Sequence, residues 1–389
     1  MKGDNVMRIL HVGAGMIGSV IAKDIMKKHS VTVLDGKAAN LDFINEENQI
    51  KCVLGDVTDK QKLSELIAEN DIISIALPGR LAIEVVRESL AQKKITFDIS
   101  SIPNNVLLGE LCNFAKKQQT LYVPKIGIAP GMTNFLCGRG AALLDDVADI
   151  EIYVGGIPER RVPPMDYKTV FCLPETLQEY VDPAEVVVGG KTEYKEALSG
   201  LHEVYFEGFE GLEAFITDGL ATLPKTLKAK NMTEYTIRWS GHAKNIRNLI
   251  EMGFFETKEE SYKGASFSPR EYLISRLAPL WEMKIERGDS DATLFRIIVR
   301  GQKNGHAREY TWEMIDKYDT KRGITSMAKC TAFTCATFID ACAEGMIKAG
   351  EMVFPEILAK DDKLYSFIMS ELSKKGVPFK EQTALLEDF

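Results

Sequence analysis

A chain of 389 residues has room for two or three domains, and 45% apolar with 27% charged residues excludes disorder. The net charge of −8 is interspersed along the chain, which removes the electrostatic case for nucleic acid or an anionic membrane as partner. No apolar run approaches a membrane span and no signal-peptide pattern opens the chain, so a cytoplasmic location is expected.

The first element is an apolar strand ending at Val12, followed by Gly13, Gly15 and Gly18 in G-x-G-x-x-G spacing and a helix over residues 19–28. Gly13 allows a tight turn, Gly15 allows close approach to a pyrophosphate, and Gly18 allows close helix–strand packing. Met16 and Ile17 lie inside the same turn and join the cofactor-binding candidates. A second strand, residues 30–34, ends in Asp35, about 20 residues past the central glycine, where an acid meets the adenosine ribose. An acid there repels a 2′-phosphate, so NAD is expected. Lys37 keeps NADP open as the less favoured alternative.

Strands over residues 50–54, 72–77, 95–99 and 121–126 then alternate with helices over 59–69, 81–92 and 106–117. This alternation predicts a doubly wound parallel (Rossmann) sheet, with ligands outside the carboxyl ends of its strands. Asp35, Asp56, the run Ala76, Leu77 and Pro78, Asp98, and the loop 127–133 with Gly131 fall on that rim. Asp56 and the 76–78 run are candidates for the cofactor, Asp98 and Gly131 for the substrate. Turn chemistry or helix capping is the other reading for Asp56 and Asp98.

From about residue 149 the pattern becomes strands without alternating helices, including a hairpin around Asn304-Gly305. A second, α+β domain with a mostly antiparallel sheet is expected, covered by helices over 242–252 and 269–280. A long helical stretch over 327–348 contains Cys330, Cys335 and Cys342, whose spacing fits small buried residues and no metal site. The expected domains are 1–130 (dinucleotide-binding), 131–325 (substrate and oligomerisation) and 326–389 (C-terminal helices returning to the first domain). Exposed strand edges in the second domain suggest a homodimer or a multiple of one.

Several motifs of the second half carry a resemblance. They are Gly127-Ile-Ala-Pro-Gly-Met-Thr-Asn134, Val154-Gly-Gly-Ile-Pro158, Pro163-Pro-Met-Asp-Tyr-Lys168, Val188-Gly-Gly-Lys191, Ala214-Phe-Ile-Thr-Asp-Gly-Leu-Ala-Thr-Leu223 and Ile237-Arg-Trp-Ser-Gly-His242. Through them most of the chain resembles the saccharopine dehydrogenase-like family, and within it the lysine 6-dehydrogenase branch. Ser240 departs from that pattern, where proline is expected, and Ala221 stands where a basic residue is frequent. The resemblance implies NAD-linked oxidation of the ε-amine carbon of L-lysine to allysine, which cyclises to piperideine-6-carboxylate, with release of ammonia. Saccharopine or carboxynorspermidine reduction, acting on a secondary amine, is the alternative enzyme reading. A dinucleotide-binding sensor is the alternative outside catalysis.

Hydride leaves a carbon bearing nitrogen only when that nitrogen has a free lone pair, so a base must take the ammonium proton. His242, at a strand-to-helix junction, is the first candidate, with capping or packing as its other reading. Lys168 and Tyr167 follow: a desolvated lysine is a base, an ordinary one a cation for a carboxylate or a solvated strand edge. Arg238 suits a substrate carboxylate or a surface ion pair. Asp218 and Thr222 suit an amino group or helix capping.

Overall fold

The computed structural model describes residues 6–45, 50–102, 105–348 and 353–386. It divides the chain into two compact units: Met1–Asp145 with Ala221–Leu227 and Ala328–Phe379, and Asp146–Leu220 with Lys228–Met327 and Lys380–Phe389. Among the described residues no helix is long and apolar enough to cross a membrane.

The first unit is built by strict alternation: β1 (Arg8–Val12), α1 (Gly18–Ile25), β2 (Ser30–Asp35), α2 (Ala38–Asn45), β3 (Lys51–Leu54), α3 (Lys60–Ala68), β4 (Ile72–Ile75), α4 (Gly79–Ala91), β5 (Ile95–Asp98), α5 (Asn105–Gln118), β6 (Tyr122–Pro124) and α6 (Met132–Leu143). All neighbouring strands are parallel, in the order β3-β2-β1-β4-β5-β6. The order reverses between β1 and β4, and the glycine turn follows β1 at this switch point, where doubly wound sheets take ligands. All four side chains of β4 are buried, and Ile73 and Ile75, with Leu10 and Val12, pack against Val85, Val86 and Leu111. Each such aliphatic side chain contributes about 1.5–3 kcal/mol of burial.

The second unit follows: β7 (Asp146–Pro158), α7 (Leu173–Glu179), β8 (Ala184–Val188), β9 (Lys191–Lys195), β10 (His202–Phe206) and β11 (Phe209–Ile216). The short α8 (Leu223–Thr226) then belongs to the first unit, before β12 (Asn231–Trp239), α9 (His242–Glu251), β13 (Glu260–Tyr262), β14 (Ala265–Phe267), α10 (Pro269–Trp281), β15 (Asp291–Lys303) and β16 (His306–Lys317) resume the second. Its large sheet runs β10-β11-β12-β7-β15-β16, antiparallel throughout except for the parallel pair β12–β7. Asn304 and Gly305, both at positive φ, make the β15–β16 turn, as Asn-Gly does in hairpins. Helices α7, α9 and α10 cover one sheet face around Phe215, Tyr167, Tyr180 and Trp281. Leu212, Ala214, Ile237 and Trp239 point to the other face.

The chain ends with α11 (Ser326–Ala343), α12 (Pro355–Leu358), α13 (Asp362–Lys375) and β17 (Lys380–Leu385). Asp291 caps α11, accepting from the Ser326 and Met327 amides at 2.7 and 3.0 Å. The helices up to Phe379 join the first unit. The tail differs from the expectation of helices alone: β17 pairs antiparallel with β16 in the second unit. All six of its residues are exposed, so no apolar alternation marked it. Residues 387–389 lie outside the described residues.

A charged cluster binds α11 and α13 to α1. Asp340 receives Lys28 at 2.9 Å, His29 at 3.2 Å and Lys375 at 3.4 Å, and Lys375 also reaches Asp24 at 2.6 Å. Burial opposes ionisation of Asp340, but the His29 hydrogen bond and the Lys375 and Lys28 charges prevail and bring its carboxyl down to about 2. A depressed carboxyl stabilises the fold above its unfolded value near 3.8 and loses that contribution as pH falls toward 2. Asp340→Asn is therefore expected to cost about 2 kcal/mol at neutral pH. The deficit should close toward pH 2 in urea titrations, and equal stabilities at neutral pH would refute the assignment.

Candidate active site

In the first unit the glycine turn is held by its own backbone. The Gly13 amide donates to the Leu34 carbonyl at 2.9 Å, and the Ser19 amide to Gly15 at 3.0 Å. Gly13 has φ +98°, and a Cβ on it would sit 2.3 Å from the Ala76 carbonyl oxygen. A Cβ on Gly18 would sit 1.9 Å from the Gly13 oxygen. At Gly15 a Cβ would meet nothing within 4 Å. Gly15, Met16 and Ile17 are the accessible part of the turn. This is a cradle with packed walls and an open middle, over the free N–H groups of α1, and it fits a dinucleotide pyrophosphate.

Asp35 closes the cradle. Its carboxylate accepts from the Ala14 amide at 2.6 Å, the Lys37 amide at 2.7 Å and Asn40 Nδ2 at 3.1 Å. Beneath the turn, His11 is fully buried in β1 with Nδ1 2.9 Å from Ser74 Oγ, and burial lowers its pKa to about 4, so the ring is neutral. Ala76, Leu77 and Pro78 follow β4 beside the turn, and the Ala76 amide donates to Val12 at 2.9 Å. Asp56 is exposed and accepts from the Thr58 amide at 2.8 Å, a local turn bond.

Three expected substrate positions in this unit have internal partners. Asp98 is fully buried, accepting from Tyr122 Oη at 3.1 Å and the Ser100 amide at 2.8 Å, and burial raises its carboxyl to about 6. Gly131, at φ +132°, starts α6, and a Cβ there would lie 2.2 Å from the Gly127 oxygen. Thr222 is buried and receives Asn134 Nδ2 at 3.4 Å, while Thr226 Oγ1 donates to Glu356 at 2.6 Å. Asp218 falls in the second unit, where it accepts from the Glu185 amide at 3.1 Å. Thr222 stands at the N-cap of α8 without a capping bond from its side chain.

The second unit gathers a polar strip on the helix-covered face of its sheet. In β12, strand alternation puts Glu234, Thr236 and Arg238 on that face, opposite Phe215 and Glu213 of β11. Glu213 binds the turn into α9, accepting from the Gly241 and Ala243 amides at 2.9 and 2.7 Å. Gly241 takes the left-handed φ of +97° that this turn needs.

A hydrogen-bond chain then fixes Arg238. Its Nε donates to Tyr180 Oη at 3.2 Å, Tyr180 Oη donates to His242 Nε2 at 3.0 Å, and His242 Nδ1 donates to the Met165 carbonyl at 2.8 Å. Arg238 Nη2 lies 3.9 Å from Glu179, and the guanidinium stands over the Tyr167 ring, 4.9 Å from its centroid. Tyr167 packs edge-on against Trp281 at 4.7 Å. The indole nitrogen of Trp281 has no hydrogen-bond partner among the described residues.

These surroundings assign different duties from those expected. Burial and the Arg238 charge press His242 down to about 3, so the ring stays neutral, with both nitrogens engaged. It orients Tyr180 and is poorly placed as a free base. Lys168 is committed: its ammonium pairs with Asp289 at 2.9 Å and donates to the Glu282 carbonyl at 3.0 Å. The Tyr167 hydroxyl is pushed up by burial and stays protonated.

The titrating groups are two carboxyls absent from the sequence reading. Partial burial and the neighbouring Glu175 raise Glu179 above the usual carboxylate range against the pull of Arg238, with its side chain 39% exposed. Burial, with Glu179 and Asp218 nearby, raises Glu234 to about 8. The signal was a polar phase, 234-236-238, in a strand whose other phase is apolar over Tyr235, Ile237 and Trp239. Such a phase reads as solvent-facing until helices are known to cover it.

Comparison with known proteins gives these two sites a context. Residues 9–124 match the family model described as saccharopine dehydrogenase NADP binding domain, and residues 127–377 the saccharopine dehydrogenase C-terminal domain. A saccharopine dehydrogenase (NADP(+), L-glutamate-forming) of Schizosaccharomyces pombe is 21% identical over 96% of this chain and 98% of its own. The enzyme of the same description from Saccharomyces cerevisiae is 24% identical over 69% of this chain and 66% of its own. The fold matches apo saccharopine dehydrogenase (L-Glu forming) from Saccharomyces cerevisiae, with TM-score 0.78 and 18% identity over 97% of this chain and all of that one.

Proposed function

Because the chain belongs to the saccharopine dehydrogenase family, whose enzymes are oxidoreductases of amino-acid C–N bonds, we propose that it oxidises the terminal amine carbon of L-lysine. The observation that carries this reading is the charge balance of the strip in the second unit. Among the described residues one buried guanidinium, Arg238, faces two carboxyls, Glu179 and Glu234. Saccharopine brings three carboxylates and would need more cations. Arg161 is paired with Asp166 and the Ser240 carbonyl, Arg247 with the Leu198 carbonyl, Lys168 with Asp289, and Arg160 is exposed. A diamino acid, with one carboxylate and two ammonium groups, balances the strip.

Arg238 takes the substrate carboxylate through its remaining N–H groups, and Glu179 beside it takes the α-ammonium. Tyr167 and Trp281 wall the aliphatic stem. A bound dinucleotide supplies the hydride acceptor, and Gly13, Gly15, Gly18 and Asp35 would hold it. Only a few lysine molecules in ten thousand carry a neutral ε-amine near pH 7, so the site must remove a proton before hydride leaves. Loss of hydride from the neutral amine gives an iminium, and water converts it to the aldehyde and an ammonium ion, with one net proton released. We assign NAD as the cofactor because a 2′-phosphate would meet the Asp35 carboxylate. The matched domain and the yeast relatives are described as NADP-dependent, so the test must carry both cofactors.

Reduced-cofactor formation at alkaline pH with L-lysine, L-ornithine, saccharopine and carboxynorspermidine tests the reading. The expected result is a signal with L-lysine, stoichiometric ammonia, and NAD preferred over NADP. A signal confined to saccharopine or carboxynorspermidine would overturn it. Tight dinucleotide binding without turnover of any amine would favour a sensor.

A further inference from the structure

We propose that Glu234 receives the ε-amine of the substrate, and that its place four residues from Arg238 on the same face of β12 sets the length of diamino acid the site accepts. The inference rests on the function proposed above and assigns that site its second anchor. Glu234 is 4% exposed. Thr217 Oγ1 donates to its Oε2 at 2.6 Å and also lies 2.7 Å from Thr236 Oγ1, so a hydroxyl pair orients the carboxyl. Room for it is built in: a Cβ on Gly219 would come within 2.6 Å of the carboxyl carbon.

No cation pairs with Glu234 among the described residues. The charged groups facing it are Glu179 from α7, Asp218 from the loop after β11, and Arg238 from its own strand, so acids outnumber the base. Ionising a buried carboxyl in such company is costly unless a positive partner arrives. That cost is why burial and the acids hold it near 8, and a substrate ammonium removes it. Glu213, by contrast, lies on the same face but spends both oxygens on backbone amides.

Residues four apart in a strand are separated by about 13 Å between Cα atoms. Arg238 and Glu234 thus form a ruler, with the carboxylate head at one end and the terminal amine at the other. In its ionised form Glu234 takes one proton from the ε-ammonium and leaves the nitrogen lone pair free. It gives that proton to solvent after the aldehyde leaves, which accounts for the net proton of the reaction.

Glu234→Gln keeps the shape and an acceptor for Thr217. Its KM for L-lysine is expected to rise roughly 10- to 100-fold, as loss of a charged hydrogen bond does, with the KM for the dinucleotide unchanged. The rise of kcat/KM through about pH 8 should vanish in this variant. Glu234→Asp withdraws the carboxyl by one methylene and should shift preference from lysine toward 2,7-diaminoheptanoate, by roughly tenfold or more. A packing role would not produce that shift.

Should Glu234→Gln fail to fold by thermal melt, Thr217→Val provides the second reading. Loss of its hydrogen bond should move the pH limb upward, because that bond lowers the Glu234 value. A Glu234→Gln enzyme with wild-type KM and pH profile, or a Thr217→Val enzyme with an unmoved limb, overturns this proposal alone. A wild-type enzyme active only on secondary amines overturns this proposal together with the function on which it rests.

Discussion

Arg238→Lys is expected to lower kcat/KM for L-lysine by roughly 100-fold or more while leaving dinucleotide affinity in place. Lysine keeps the charge but loses the planar fork, and the two residues are not interchangeable where several directed bonds are made. Arg238 uses Nε on Tyr180 and Nη1 on the Ile237 carbonyl at 2.9 Å, which leaves Nη2 and the outer N–H groups for a ligand carboxylate. An ammonium cannot serve both sets. The loss should fall mainly on KM, since the carboxylate is bound equally in the ground and transition states. Steady-state kinetics with dinucleotide binding by fluorescence would decide it. A variant with wild-type KM would show that the guanidinium is architectural, serving only Tyr180 and Glu179.

Gly18→Ala should damage both stability and cofactor binding, whereas Gly15→Ala should damage binding alone. At Gly18 the new methyl would stand 1.9 Å from the Gly13 oxygen and 3.0 Å from His11 Nε2, so α1 must shift away from β1. Overpacking of this kind costs about 1–3 kcal/mol, which for a protein of this size lowers Tm by several degrees. At Gly15 the methyl points into open space, so the free protein has nothing to lose. It then occupies the volume a pyrophosphate needs. Melting curves without ligand, paired with NADH titration, separate the two. Normal NADH affinity in Gly15→Ala would place the phosphates elsewhere.

The first unit was largely legible because its signals are local. The glycine turn, the acid after β2 and the near-continuous apolar strands each follow from neighbours in sequence, and the parallel sheet then follows from β–α alternation. The Asn304-Gly305 hairpin was legible for the same reason. The substrate residues were less so. Glu213, Glu234 and Thr217 owe their roles to cross-strand register and to which face the helices cover, and no local pattern encodes either. Lys168 looked available until Asp289, more than a hundred residues on, proved to be its partner. His242 stood at the expected junction, but its protonation is set by Arg238 and by burial, which spacing alone does not reveal. Residues 380–385 show the same limit at fold level: an edge strand with no buried side chain is defined by backbone pairing alone.

The short helix Leu223–Thr226 belongs with the dinucleotide unit although the strands on either side of it belong to the other. With the junctions after residues 145, 220, 227, 327 and 379, the polypeptide passes between the units five times. Neither unit is therefore a continuous stretch of gene. A single stop codon or protease cut cannot release one intact, and grafting the substrate half onto a different dinucleotide half would require five matched splices. Within such an architecture, point changes along strands such as β12 are a shorter route to a new substrate than recombination of whole modules.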